Sequence, residues 1–215
     1  MNPSLQQKFI ASALQHQALR WGEFTLKSGR ISPYFFNAGH FNTGGSLAQL
    51  GSFYAETIQT SDLAFDMMVG PAYKGIPLVC ATAMAMAERY QRNIPYAFNR
   101  KEVKEHGEKS LWVGAPVTGR VLILDDVMTA GTAIRETIAL IQAAGATPCG
   151  VVVMLDRQEK GLGELSAIQE VENTYSIPVL SIATLKDLLA YTAADKSLTD
   201  VLAAIEAYSA RYGVK

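Results

Sequence analysis

Residues 121–132 constrain the fold more than any other stretch. Val121, Leu122, Ile123 and Leu124 are four apolar residues in a row, the pattern of a strand buried on both faces of a parallel sheet. Asp125 and Asp126 follow where that strand should end, and then a run of small and hydroxyl residues, Thr129, Ala130, Gly131, Thr132 and Ala133. Ile134, Ile138 and Ile141 repeat at helical spacing as far as Gly145, a helix stop. Strand, acid pair, small-residue loop and helix make a phosphate-binding arrangement. Free N–H groups at the helix start and the helix dipole favour a dianion, Gly131 lets the backbone come close, and Thr129 and Thr132 offer hydroxyl donors. Two carboxylates would repel a phosphate placed beside them, so Asp125 and Asp126 need sugar hydroxyls or a Mg²⁺ ion instead. A sugar phosphate satisfies both halves at once.

A competing reading takes the strand and its acid pair as the metal-binding strand of a nucleotide hydrolase. That requires a G-x-x-x-x-G-K-[ST] loop, and the chain contains no Gly-Lys pair. A solvated acidic turn would leave the Thr/Gly run without a purpose. A net charge of −1 argues against an extended nucleic-acid surface. No apolar run approaches the ~20 residues of a membrane span. The first residues, Met1 to Ser4, lack the basic and apolar regions of a signal peptide, and Cys80 and Cys149 read as free core thiols. A cytoplasmic protein without membrane or nucleic-acid partners is expected.

Taken in order, residues 4–20 predict a helix with a stripe of Leu5, Phe9, Ile10, Ala13 and Leu14. Residues 23–27 and 34–37 read as two short strands joined by turn residues Ser28, Gly29, Arg30 and Pro33, a small cap over the main sheet. Leu47, Leu50, Tyr54 and Ile58 mark a second helix. Strands are expected near 65–70, 95–99, 121–125, 151–155 and 178–182. A helix with the stripe Val79, Ala83, Met86 and Tyr90 follows Pro77, Leu165 and Ile168 suggest another, Thr184 with Asp187 caps a further one, and Leu198, Leu202 (or Val201), Ile205 and Tyr208 mark the last. Residues 101–117 show no periodicity, and a loop of that length is functional or disordered. Strands alternating with helices imply an α/β fold, a central parallel sheet flanked by helices. Such sheets bind ligands beyond the carboxyl ends of their strands, where Lys74, Arg100, Asp125, Asp126 and Arg157 all fall. Each has a bland alternative: Lys74 a surface lysine, Arg157 an ion pair with Asp156 or Glu159, Phe35 and Phe36 core residues on alternate faces, and Lys27 a solvated hairpin lysine.

The 121–133 segment resembles the PRPP-binding motif of type I phosphoribosyltransferases. Residues 25–30 (Thr-Leu-Lys-Ser-Gly-Arg), 32–36 (Ser-Pro-Tyr-Phe-Phe) and the Arg-Lys-x-x-Lys-x-His-Gly order from Arg100 to Gly107 are similar to those of orotate phosphoribosyltransferases. The resemblance implies one domain over 1–215: an N-terminal hood (about 1–60), a PRPP-binding core (61–183) with a mobile catalytic loop (101–117), and C-terminal helices (184–215). It implies Mg²⁺-dependent transfer of phosphoribose from PRPP to orotate in UMP synthesis. Asp125 and Asp126 would hold the ribose hydroxyls, and Thr129, Ala130, Gly131, Thr132 and Ala133 the 5-phosphate, with Val127 and Met128 also among the PRPP-binding residues. Tyr73 and Lys74, with a cis Ala72–Tyr73 bond, would face the pyrophosphate together with Arg100, Lys101, Lys104 and His106, and Lys27 would also bind PRPP. Lys101, Lys104, His106 and Asp125 would be catalytic. Orotate would meet Phe35, Phe36, Thr129 and Arg157, with Lys27 reaching substrate anions. Mg²⁺ would be held mainly by substrate pyrophosphate and ribose hydroxyls, with Asp125 and Asp126 nearby. The protein would be a homodimer sharing loop residues across its interface. The alternatives are a non-catalytic PRPP-binding regulator and a transferase for another nucleobase.

Overall fold

The computed structural model describes residues 3–26, 28–101, 111–161 and 163–214, so Lys27, Lys104 and His106 lie outside the described residues. Ser4 opens α1 (Leu5–Gln15) with a closed capping box: its hydroxyl accepts from the Gln7 amide, and the Gln7 side chain reaches back. The helix ends five residues short of the predicted limit because Gln17 turns to φ +56°. Leu19 and Arg20, read as helical, instead begin β1 (Leu19–Thr25). β1 pairs antiparallel with β2 (Ile31–Phe36) to form the cap.

The main sheet has six strands. They are β3 (Met67–Gly70), β4 (Tyr96–Asn99), β5 (Trp112–Gly114), β6 (Arg120–Leu124), β7 (Thr147–Asp156) and β8 (Val179–Thr184), in the order β5-β4-β3-β6-β7-β8. All neighbours are parallel except β4 and β5. β5 lies inside the stretch read as a structureless loop. Three residues are too few to show a period of two, and pairing with the edge of β4 is what makes them a strand.

The sheet is covered on both faces, as the apolar run in β6 predicts. Leu122 and Leu124 join Met68, Val152 and Met154 on one face, under α1, α2 (Gly44–Gln59), α3 (Gly75–Tyr90), α6 (Leu185–Ala193) and α7 (Thr199–Tyr212). Val121 and Ile123 join Met67, Val69, Val151 and Val153 on the other. There they meet Ile134, Ile138 and Ile141 of α4 (Thr132–Ala143) and Ile168 and Val171 of α5 (Ala167–Tyr175). Leu165, read with Ile168 as helical, stays exposed ahead of α5, whose cap is Ser166. The Thr184–Asp187 cap forms at the start of α6. Of the expected hood, the β1–β2 hairpin forms a separate sheet, whereas α2 packs on α3 and shares its core with the main sheet.

Candidate active site

β3 and β6 are neighbours, but the chain leaves β3 toward β4 on one side and leaves β6 toward β7 on the other. Their carboxyl ends therefore flank a topological switch point, the crevice where open α/β sheets take ligands. The loop 71–74 rises from β3 and the acid pair from β6. Lys74 Nζ meets Asp126 Oδ2 across the gap at 2.5 Å. The lysine is 61% exposed and Asp126 13%, so the bridge is a rim contact worth about 1 kcal/mol or less. An arriving anion can draw Lys74 away at little cost.

Asp125 is the more deeply set of the two acids. Its amide donates to Val152 O at 3.1 Å, its carboxylate accepts from the Asp126 amide at 2.9 Å, and its carbonyl accepts from the buried Tyr54 hydroxyl at 2.6 Å. Burial and then the neighbouring Asp126 charge push its pKa up to about 6, against the opposing pull of the Asp126 amide and Lys74. Burial also pushes the Tyr54 phenol well up, so it remains a donor. A cleft of about 210 Å³ opens beside Lys74 and Asp126, walled by Leu50, Pro77 and Met154.

The 71–75 loop is fixed by backbone contacts. The Ala72–Tyr73 peptide is cis. The Ala72 amide donates to Asn99 Oδ1 at 2.9 Å, and the Gly75 amide to Pro71 O at 2.9 Å. Only glycine fits at position 70, since a Cβ there would stand 2.1 Å from the Gly75 carbonyl oxygen. Tyr73 is 68% exposed, and the Lys101 ammonium sits 5.0 Å from its ring centroid, which brings Lys101 to this loop. The Arg100 amide donates to Leu111 O, so Arg100 leaves the end of β4 beside the same crevice.

Beyond the acids, Val127 and Met128 are half-buried and Thr129 and Ala130 exposed. Gly131 takes φ +71° at the head of α4, and no side chain caps that end. The first-turn amides of Thr132 and Ala133 thus face a ligand position without a protein acceptor, the geometry of an anion site. Arg135 braces the loop from behind, Nη1 donating to Ala130 O at 2.6 Å and Nη2 pairing with Glu170 at 2.9 Å.

Arg157, at the end of β7, is paired with Glu159, as the bland alternative foresaw. It also donates to Ser32 of the hairpin and lies on the Tyr34 ring. Phe35 and Phe36 occupy opposite faces of β2: Phe35 meets Phe24 under the Arg20 guanidinium, and Phe36 meets Phe9 of the core. The two rings therefore face opposite sides of the strand. Adjacent strand residues alternate faces, and the cap has a core of its own to cover.

Among the described residues no group of three or more His, Cys, Asp or Glu could hold a metal. Two adjacent carboxylates alone still suit Mg²⁺, which keeps several waters and binds one or two protein carboxylates alongside substrate phosphates. Sequence reasoning missed three supports, Asn99 under the loop, Tyr54 under Asp125 and Arg135 behind the cradle, while the pairing of Glu159 with Arg157 was among its alternatives. Tyr54 read as helix-stripe core, and nothing in the local pattern of Asn99 or Arg135 announces partners 27 and 35 residues away.

The Phosphoribosyl transferase domain family matches residues 41–175. An orotate phosphoribosyltransferase of Thioalkalivibrio sulfidiphilus is 61% identical over 209 residues, 97% of this chain and 98% of that protein. One from Pseudomonas aeruginosa is 58% identical over the same shares. The crystal structure of the Francisella tularensis orotate phosphoribosyltransferase superposes with a TM-score of 0.87 at 44% identity, covering 96% of this chain and 99% of that one.

Proposed function

The chain belongs to the Phosphoribosyl transferase domain family, among its orotate phosphoribosyltransferases, and from that premise we propose how its residues divide the reaction. The 5-phosphoribosyl group passes from PRPP to orotate in pyrimidine (UMP) biosynthesis. The bond from ribose C1 to the pyrophosphate oxygen breaks, a bond from C1 to N1 of orotate forms, and orotidine 5′-monophosphate and pyrophosphate leave. Neither the regulator nor the other-base alternative has support beside these relatives.

The observation that carries the division of roles is the meeting of Asp125, Asp126 and the uncapped start of α4 at the β3–β6 crevice. In this reading the first-turn amides after Gly131, with the rest of Thr129 to Ala133, take the 5-phosphate. Asp125 and Asp126 accept from the ribose hydroxyls, and Asp126 releases Lys74 to the pyrophosphate. Tyr73, Arg100 and Lys101 stand on the same side as Lys74; Lys27, Lys104 and His106 join them by family pattern. Positive charge develops on the ribose as the C1–O bond breaks, so the chemistry needs positioning and neutralisation of the departing oxygens more than covalent help. His106 donates a hydrogen bond or proton to that leaving group. Mg²⁺, held by substrate oxygens with Asp125 and Asp126 beside it, adds further charge neutralisation when bound.

Orotate lies between Thr129, the Phe35–Phe36 segment and Arg157, whose guanidinium meets its carboxylate. The protein acts as a cytoplasmic homodimer that shares the 101–117 segment across its interface. Exposed Tyr73, Met84 and Tyr96 on and beside α3 support a partner on that side, and no helix among the described residues is long and apolar enough to cross a membrane. Mixing PRPP, Mg²⁺ and orotate should consume orotate absorbance and release equimolar pyrophosphate. Turnover with uracil or adenine in place of orotate, or none with orotate, would contradict the reading.

A further inference from the structure

One carboxylate at the end of β7 gathers side chains from three parts of the chain. Glu159 Oε1 accepts from Arg157 Nε at 2.8 Å, lies 2.6 Å from Arg157 Nη2, and accepts from the Tyr34 hydroxyl of β2 at 3.4 Å. Glu159 Oε2 accepts from the Tyr208 hydroxyl of α7 at 3.1 Å. Arg30 approaches Oε2 only to 3.9 Å, because its own donors go to Lys160 O and Gly161 O. Arg157 and Glu159 are 13% and 12% exposed, so this pair sits inside the protein, unlike the Lys74–Asp126 bridge at the rim.

A guanidinium has five N–H donors in a fixed plane. Glu159 takes Nε and one hydrogen of Nη2, and Ser32 Oγ takes the other at 3.1 Å. The Tyr34 ring, 4.2 Å away, fixes the plane. What remains is Nη1, for which no hydrogen bond is found among the described residues, although the Tyr208 hydroxyl also interacts with the guanidinium. A buried guanidinium with one edge committed and one edge open is pre-oriented for a planar, two-oxygen acceptor. Glu159 also offsets the positive charge. A lone arginine would attract any phosphate, whereas a paired one recognises shape and direction.

We propose that Glu159 is a positioning residue for base recognition: it holds Arg157 so that the open Nη1 edge selects the carboxylated base and the site does not take up phosphate there. Tyr208 and Tyr34 hold Glu159 in turn, so α7 and the hairpin share in substrate choice although neither carries the reacting atoms. The inference rests on the assignment of Arg157 to orotate made above, and the test separates the two.

The full-length enzyme is compared with Glu159→Gln, Tyr208→Phe, Arg157→Ala and the Arg157→Ala/Glu159→Gln double variant. KM for orotate, KM for PRPP, kcat and Tm are measured for each, with inorganic phosphate as inhibitor. Glu159→Gln keeps the size and one acceptor but loses the charge. It should raise KM for orotate about tenfold, the loss of one charge-assisted contact, with KM for PRPP within twofold. Phosphate should become competitive with orotate. Tyr208→Phe should shift KM for orotate the same way by about threefold, and the double variant should be no worse for orotate than Arg157→Ala alone. An unchanged KM for orotate in Glu159→Gln, or equal rises for both substrates, overturns the positioning role while Arg157→Ala still raises KM for orotate. An unchanged KM for orotate in Arg157→Ala overturns the assignment of Arg157, and the proposal with it.

Discussion

Asp125→Asn should make the folded protein more stable and its complex with PRPP weaker. The wild-type carboxyl has its pKa raised from 3.8 to about 6 by burial and by the Asp126 charge. A carboxyl whose pKa is raised by folding binds more protons folded than unfolded between those two values, so wild-type stability falls as pH rises from about 4 to about 6 and then stays lower. The full penalty corresponds to roughly 3 kcal/mol at pH 7.5 and shrinks to roughly 1 kcal/mol at pH 4.5. Asparagine carries no charge, and its carbonyl oxygen can still accept from the Asp126 amide, whose hydrogen bond to Asp125 Oδ1 is 2.9 Å long. The Tyr54 bond goes to the main-chain carbonyl and survives. Burying the new amide N–H groups offsets part of the gain, leaving about 1–2 kcal/mol, or a Tm rise of roughly 2–8 °C for a chain of this size. Urea unfolding of wild type and variant at pH 7.5 and 4.5 measures the difference, and calorimetry gives the loss of PRPP affinity. A variant no more stable than wild type at pH 7.5 would refute the reasoning; so would a stability gain that fails to shrink at pH 4.5.

Three further outcomes are expected. Tyr54→Phe removes the fully buried Tyr54 hydroxyl that donates to the Asp125 carbonyl; it should cost about 1–3 kcal/mol in chemical unfolding and raise KM for PRPP more than KM for orotate. Gly131→Ala places a side chain at φ +71° with its Cβ 2.9 Å from Arg135 Nη1; it should cost roughly 1–2 kcal/mol in stability and weaken PRPP binding in calorimetry, whereas Gly145→Ala, also at positive φ but with open space around it, should cost stability alone. Lys104→Ala and Lys101→Ala should lower kcat steeply, by tenfold or more, with unchanged far-UV circular dichroism; turnover near wild type would remove that segment from the mechanism.

The fold was legible wherever a segment carried its own period. The apolar run of β6, the isoleucine spacing of α4 and the Thr184–Asp187 cap each specify their element locally, and the structure places all three. β5 was not legible because its strand state depends on the edge of β4, and the end of α1 was set by a turn at Gln17 that no apolar position marks. The same division holds at the site. Asp125, Asp126 and Gly131 declare themselves because acids and a glycine at a strand-to-helix junction have few other uses.

What sequence determined by itself is the local chemistry: an acid pair beside an anion-accepting helix start, on a strand buried on both sides. What only the tertiary structure decided is which distant groups set the behaviour of those residues. Tyr54 from α2, Lys74 from the β3 loop and Glu159 from beyond β7 reach their partners over 71, 52 and 2 residues. Even the last, so near in sequence, takes its effect from Tyr34 and Tyr208, 125 and 49 residues away. The physical reason is that a pKa, a fixed guanidinium plane or a floor for two rings is a property of what surrounds a group in space. Chain neighbours supply only a small part of that surrounding, and burial in a shared core supplies the rest.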